Sequence, residues 1–234
     1  YITLEQIILA NIDCHNYISA LSDVLYLHHY FPGSLRVIRH RATIYEAQEK
    51  YDEASEMLDV VIKEDETNSA PRKRKVAILK AQGLIPEAIK ELVEYLKRFM
   101  SDVEAWQELS ELYLVVGELP RAAFCAEELI LHQPHSHLFH QRLADIRYTM
   151  GGVENMELAK TYYCQALKLN PSNLRALLGL FLATNNLLGH YKSSGNGAKR
   201  KEVWKLCQWA QSATQHLRID ETLTTAMLNL AITE

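Results

Sequence analysis

The sequence predicts an all-α protein assembled from repeated helix pairs, and three observations carry that reading. Apolar residues recur at intervals of three and four and never in strict alternation, which is the spacing of a helix face and not of a strand. Six prolines and nine glycines in 234 residues leave long uninterrupted stretches rich in Leu, Ala, Glu and Lys. The chain also matches itself at a fixed interval: Ala20, Ala54, Ala88 and Ala122 stand 34 residues apart. A period of that length marks stacked supersecondary units.

Counting from Tyr1, Leu35, Ser69 and Val103 gives units 1–34, 35–68, 69–102 and 103–136. Their eighth residues are Ile8, Ala42, Val76 and Ser110, and their twenty-fourth are Val24, Leu58, Leu92 and Ala126. Proline stands at the thirty-second place in the first and fourth units (Pro32, Pro134), with Glu66 and Met100 there in the two between. A fifth unit, 137–173, carries three extra residues around GGVEN, after which Ala159, Tyr163, Ala166 and Pro171 restore the pattern. A sixth opens with a helix over 174–188, LRALLGLFLATNNLL. The polar stretch 189–200, GHYKSSGNGAKR, predicts a flexible loop because Gly and Ser offer the backbone many conformations and no apolar face. Residues 201–234 predict C-terminal helices that close the solenoid, VWKLCQWAQSATQHL and then Asp220 to Thr233, with Trp204 and Trp209 as packing residues.

The unit VEAWQELSELYLVVGELPRAAFCAEELILHQP resembles the tetratricopeptide repeat. Trp106, Leu109, Ser110, Tyr113, Ala122 and Pro134 stand where that helix-turn-helix family places its anchors, its small residues and its closing proline. The resemblance implies a tetratricopeptide-repeat solenoid, a right-handed superhelix of antiparallel helix pairs. The physical basis is close packing: a small side chain at the eighth place lets the first helix approach the second, and alanine at the twentieth receives bulky neighbours. One unit cannot bury its own apolar face, so stacking makes the fold.

Composition narrows the function. The net charge is −4, so the one strongly basic run, Arg72-Lys73-Arg74-Lys75 in SAPRKRKVAILKAQG, is local and the chain is not a general polyanion binder. Cys14, Cys125, Cys164 and Cys207 are widely spaced with no CxxC pairing, which predicts free thiols in a reducing compartment. No apolar run approaches the ~20 residues that span a bilayer. The opening YITLEQIILANID lacks the basic start and cleavage site of a signal peptide. It also begins without Met inside an amphipathic segment, so the chain reads as part of a longer protein. His132, His135, His137 and His140 crowd into HQPHSHLFH, but no HExxH or CxxC accompanies them, and an inter-repeat turn with histidines at helix ends is the expectation. With no Gly-rich phosphate loop, GxSxG or Cys/His arrangement, the expectation is a binding scaffold, no enzyme, with no metal and no cofactor.

In tetratricopeptide repeats the second, fifth, ninth and twelfth positions of the first helix line a concave groove. Here these are Arg36, Arg39, Thr43 and Glu46; Ala70, Lys73, Ala77 and Lys80; Glu104, Gln107, Glu111 and Leu114; and Leu138, Gln141, Asp145 and Tyr148. The reading is a groove basic in the second and third units and more acidic in the fourth and fifth. The candidate partner-binding set is Arg36, Arg39, Lys73, Lys80, Glu104, Gln107, Glu111, Gln141, Asp145 and Tyr148 from these positions, together with Arg72, Arg74 and Lys75. The carboxylate clamp of chaperone adaptors is absent, since Ala77 follows Lys73 by four and Glu108 stands sixth in the next unit. Four cations at a helix N-terminus oppose the macrodipole and need compensation, from Glu64, Asp65 and Glu66 or from an acidic partner. Helical geometry divides them: Lys73 toward the groove, Arg74 away from it, Arg72 and Lys75 on the anchor side.

Longer strings carry a closer resemblance: FPGS (31–34), EDETNSAPRKRKVAILKAQG (64–83), AWQELSELY (105–113), RAAFCAEELI (121–130), PHSHLF (134–139), GGVENMELAKTYYCQALKLN (151–170) and RALLGL (175–180). Through these the sequence resembles the family of subunit 2 of the endoplasmic-reticulum membrane protein complex, the tetratricopeptide-repeat subunit of a membrane-protein insertase. That resemblance implies a non-catalytic scaffold at the cytoplasmic side of the endoplasmic-reticulum membrane, peripheral through its partners. It implies contacts with a globular cytosolic subunit and with cytosolic segments of membrane subunits, no nucleic acid and no membrane span. Two other readings stand beside it: a generic adaptor that binds a peptide segment in the concave groove, and a nuclear or RNA-associated repeat protein that uses Arg72 to Lys75.

Overall fold

The computed structural model describes residues 1–216, with side chains described through Thr214. The described residues hold twelve helices and no strand, in two compact units. The first unit, Tyr1–Asp102, contains α1 (Ile2–Asp13), α2 (Tyr17–Tyr30), α3 (Leu35–Ala47), α4 (Tyr51–Glu64), α5 (Ser69–Ala81) and α6 (Ile85–Arg98). The second, which begins at Val103, contains α7 (Val103–Val116), α8 (Leu119–His132), α9 (His137–Met150), α10 (Val153–Leu169), α11 (Leu174–Ser194) and α12 (Gly197–His216). Within each unit successive helices pack on their neighbours.

The periodic small residues explain why the helices approach so closely. Ala20, Ala54, Ala88, Ala122 and Ala159 are all fully buried, and so are Ile8, Ala42, Val76, Ser110 and Ala144 on the first helix of each pair. Ser110 is the polar member of that series, and its hydroxyl donates to the Ala122 carbonyl at 3.2 Å. A buried hydroxyl without an acceptor would cost about 1–3 kcal/mol, so this bond is what lets serine replace alanine there.

The turn inside each pair repeats as well. His15, Glu49, Gly83, Gly117 and Gly151 all have positive φ, between 57° and 84°, and all stand at the fifteenth place of their units. Glycine reaches that conformation without a Cβ penalty, and three of the five units use it.

The stretch 189–200 differs from the expected flexible loop. α11 continues through Ser194, the break is confined to Gly195 and Asn196, and α12 starts at Gly197. The cause is tertiary: Leu187, Leu188 and Tyr191 are buried in the core shared with α10 and α12 and carry the helix past the polar composition. Gly195 then terminates it in the left-handed conformation. Trp204 packs against this core, whereas Trp209 is half exposed, so of the two expected packing residues Trp204 alone is placed against it. The closing helix expected from Asp220 to Thr233 lies outside the described residues.

Candidate partner-binding surface

In the first unit the basic run sits at the start of α5, where Asn68 caps the helix by accepting from the Ala70 N–H at 3.2 Å. Pro71 is buried in the first turn, a position that tolerates its missing donor. The four cations separate as helical geometry demands. Lys73 Nζ lies 2.6 Å from Asp102, Arg74 Nε 2.5 Å from Glu46 on α3, and Lys75 Nζ 2.8 Å from Asp59 on α4. Arg74 therefore turns to α3 and not away from the odd helices. The compensating carboxylates are also not those at 64–66: Asp65 accepts from the Thr67 backbone and hydroxyl, and Glu66 pairs with Arg98 at 2.6 Å. Arg72 is half-buried where other units carry an apolar anchor, and its Nε is buried with no hydrogen-bond partner among the described residues.

Asp102 serves two partners in this unit. It accepts from the Tyr95 hydroxyl at 2.5 Å as well as pairing with Lys73. Burial and the Asp102 carboxylate together push the Tyr95 hydroxyl up to about 12. Of the other candidates, Arg36 pairs with Glu5 on α1 at 2.5 Å and Arg39 is half-buried, its carbonyl accepting from Thr43 at 3.0 Å. Lys80 is exposed near the end of α5.

The second unit brings part of its candidate set to one cleft of about 400 Å³, with Glu104, Glu111 and Tyr148 outside the lining. Gln107, Leu114, Leu138, Gln141 and Asp145 line it, joined by Arg142 and Arg175. Polar contacts connect the odd helices in sequence. Gln107 donates to Glu111 at 3.4 Å, Arg142 reaches Glu111 at 3.1 Å, and Asn173 donates to Gln141 at 2.9 Å. Asp145 accepts from Arg175 at 2.9 Å and from the Tyr163 hydroxyl at 2.6 Å, and Tyr148 accepts from Asn186 at 2.8 Å. Tyr163 is held well above the ordinary tyrosine range, by burial first and by Asp145 second. Glu104 is exposed at the start of α7.

The acidic character expected of this unit is thus corrected by Arg142 and Arg175, which the groove positions did not include. Arg175 stands at the second place of its unit and was legible by the same rule. Arg142 stands at the sixth, off the groove positions, and reaches the cleft because its long side chain extends over Glu111.

The histidine cluster separates into local roles. His140 donates from Nε2 to the Pro134 carbonyl at 2.9 Å, and His137 lies within hydrogen-bond distance of the Asn170 and Asn173 amides. No group of three or more His, Cys, Asp and Glu is arranged to hold a metal ion among the described residues. No described helix is long and apolar enough to cross a membrane.

Residues 17–170, from α2 to the end of α10, match the family model of the EMC2 TPR-like repeat domain. The chain belongs to that family. It is 46% identical over 212 residues to ER membrane protein complex subunit 2 of Xenopus tropicalis, covering 91% of this chain and 71% of the relative. The Dictyostelium discoideum protein of the same name is 32% identical over 224 residues, covering 91% and 68%. Among solved structures, Pseudomonas aeruginosa pilF aligns with a TM-score of 0.56 at 15% identity over 97% of this chain and 96% of that one. YrrB, a TPR protein, aligns with a TM-score of 0.52 at 16% identity over 74% and 88%. At such identities the likeness shows the tetratricopeptide-type fold and nothing more.

Proposed function

We propose that this chain is a non-catalytic subunit of the endoplasmic-reticulum membrane protein complex, held at the cytoplasmic side of the membrane by its partners. It brings a globular cytosolic subunit together with cytosolic segments of membrane-embedded subunits and so supports insertion of tail-anchored and multi-spanning proteins. The observation that carries this reading is the 46% identity, over 91% of the chain, to a relative named as subunit 2 of that complex.

The geometry supports a binding role over a catalytic one. The cysteines that lie inside the helix pairs are poor nucleophiles, because burial pushes the Cys125 thiol up to about 12 and raises Cys164 and Cys207. The cleft of the second unit mixes apolar lining with charges already engaged in ion pairs, which suits a polypeptide of mixed charge whose side chains exchange with those pairs. Leu138 lines it and is 57% exposed, so it offers contact area without being needed by the core.

The test is recovery of the tagged full-length protein from membranes in mild detergent, with its companions identified by mass spectrometry. Membrane-embedded subunits are expected, with fewer recovered from the Leu138→Glu variant. Recovery of nuclear or RNA-bound partners alone overturns the reading.

A further inference from the structure

We propose that the apolar groove formed by α2, α3 and α4 docks an acidic amphipathic helix of a partner protein. This surface is separate from the candidate positions on the odd helices, and the inference does not depend on which complex the chain joins. Its walls are Leu25 of α2, Val37 and Ile38 of α3, and Met57 and Val60 of α4, with His28 and Arg41 as the polar groups in the lining. The cavity measures about 190 Å³. That is below the ~300–1,000 Å³ of small-molecule pockets and matches instead an anchor side chain from a protein partner.

The apolar surface extends past the cavity. Leu25 is 60% exposed, Val60 48% and Ile18 86%, and Ile18 precedes Leu25 by seven residues on α2. Two such residues lie on one helix face about 10 Å apart. An occupying helix with apolar residues at i, i+3 or i+4, and i+7 meets both, inserting one side chain into the cavity and laying the next over Ile18.

Charge specifies the flank of that helix. The Arg41 guanidinium lies 5.5 Å from the centre of the Tyr45 ring and donates to the Tyr45 hydroxyl at 3.1 Å, and Lys50 Nζ lies 5.7 Å from the same ring. Among the described residues neither Arg41 nor Lys50 has a carboxylate at ion-pairing distance. Arg36, Lys73, Arg74, Lys75 and Arg98 of the same unit each have one. The aromatic ring therefore holds two cations in place without neutralising them, at the edge of an apolar groove. A helix that presents Asp or Glu within one turn of its anchor supplies the missing charge. Fixed cations of this kind set orientation and association rate more than affinity.

The test places a photo-reactive p-benzoylphenylalanine at Leu25 of the full-length protein in cells and maps the adduct by mass spectrometry. The expected adduct falls in a partner helix with an acidic residue within one turn of the captured side chain. Arg41→Glu is expected to lower its yield about twofold to fivefold while Arg41→Lys retains it, the size of one exposed charge contact. Arg41 is exposed, so the helical circular dichroism of both variants should match the parent, which separates lost docking from lost folding. An adduct on lipid, on RNA or on a segment without acidic residues, no adduct at all, or a yield indifferent to Arg41→Glu overturns the proposal.

Discussion

The two units share one repeat and spend their charges differently. In the first, cations of α5 and α3 reach to carboxylates on other elements of the unit, to Asp102, Glu46, Asp59 and Glu5, and Arg41 and Lys50 stand against an aromatic ring instead. In the second, the polar contacts lie on the odd helices around an open cleft, Glu111 pairing with Arg142 and Asp145 with Arg175. The lesson is that a repeat position determines which way a side chain points, and the local supply of counter-charges determines whether it is left for a partner. Lys73 and Arg74 belong to the set that sequence alone marks as partner-binding, yet both pair with carboxylates of their own unit.

The largest effect that tests this comparison belongs to the second unit's core. A Cβ on Gly179 of α11 would stand 2.4 Å from the Tyr163 ring, whose hydroxyl is fixed by Asp145. Gly179→Ala is therefore expected to destabilise by about 2–3 kcal/mol, because the buried ring cannot withdraw without breaking its bond to the cleft carboxylate. Urea unfolding followed by hydrogen exchange should show the loss in α9 to α12 and leave α1 to α6 protected. If protection falls equally in both units, they are not separable in stability.

Next in size is Asp102→Ala, which removes at once the acceptor of a buried tyrosine hydroxyl and the partner of a half-buried lysine. A loss of about 2 kcal/mol is expected, concentrated in α5 and α6. Glu111→Ala, its counterpart on the second unit's exposed odd-helix surface, should cost less than about 1 kcal/mol. Equal losses would erase the distinction drawn between charges used for folding and charges left at a surface.

These contrasts show what the sequence could and could not carry. The all-helical class and the helix-pair repeat were legible because Ala20, Ala54, Ala88 and Ala122 answer a packing demand that recurs at a fixed interval. The loop over 189–200 misled because its composition reports only the backbone's freedom, while Leu187, Leu188 and Tyr191 on one helix face overrode it. The pairing of Arg74 with Glu46 was not legible, since two residues 28 apart meet only once the helices are stacked. The groove of α2, α3 and α4 escaped for a related reason: it is built by three helices whose residues read individually as ordinary core positions.

A pH dependence should also fall on the first unit. His40 of α3 is 8% exposed, and burial lowers its pKa although Glu5, 3.8 Å away, pulls it upward and Arg39 and Arg36 reinforce the lowering. Protonation is then easier in the unfolded chain than in the folded one, so the unfolded state binds more protons on acidification. The stability this group contributes is fully present above its unfolded value near 6.5, and is lost as pH falls from there toward the lowered folded value. Urea midpoints between about pH 7 and about pH 5.5 should decline more steeply for the parent than for His40→Gln. Parallel slopes would remove His40 from the account.

The smallest expected effect is a gain, and it sharpens the repeat itself. Glu49 holds φ at 61° in the turn between α3 and α4, where the third, fourth and fifth units place glycine. Its side chain is exposed and has no hydrogen bond or ion pair among the described residues, so nothing in the folded state depends on it. A non-glycine residue in that conformation costs about 1–2 kcal/mol, while glycine loses about 0.5–1 kcal/mol through the freedom it gains on unfolding. The difference leaves Glu49→Gly more stable by about 0.5–1 kcal/mol, and Gly117→Ala in the second unit less stable by a similar amount. His15, the other non-glycine at this place, is the poorer subject because its ring bonds the Tyr17 hydroxyl at 2.7 Å, and glycine would forfeit that contact. If Glu49→Gly instead destabilises, the turn is set by helix packing on either side of it, and the strain at φ 61° is not the controlling quantity.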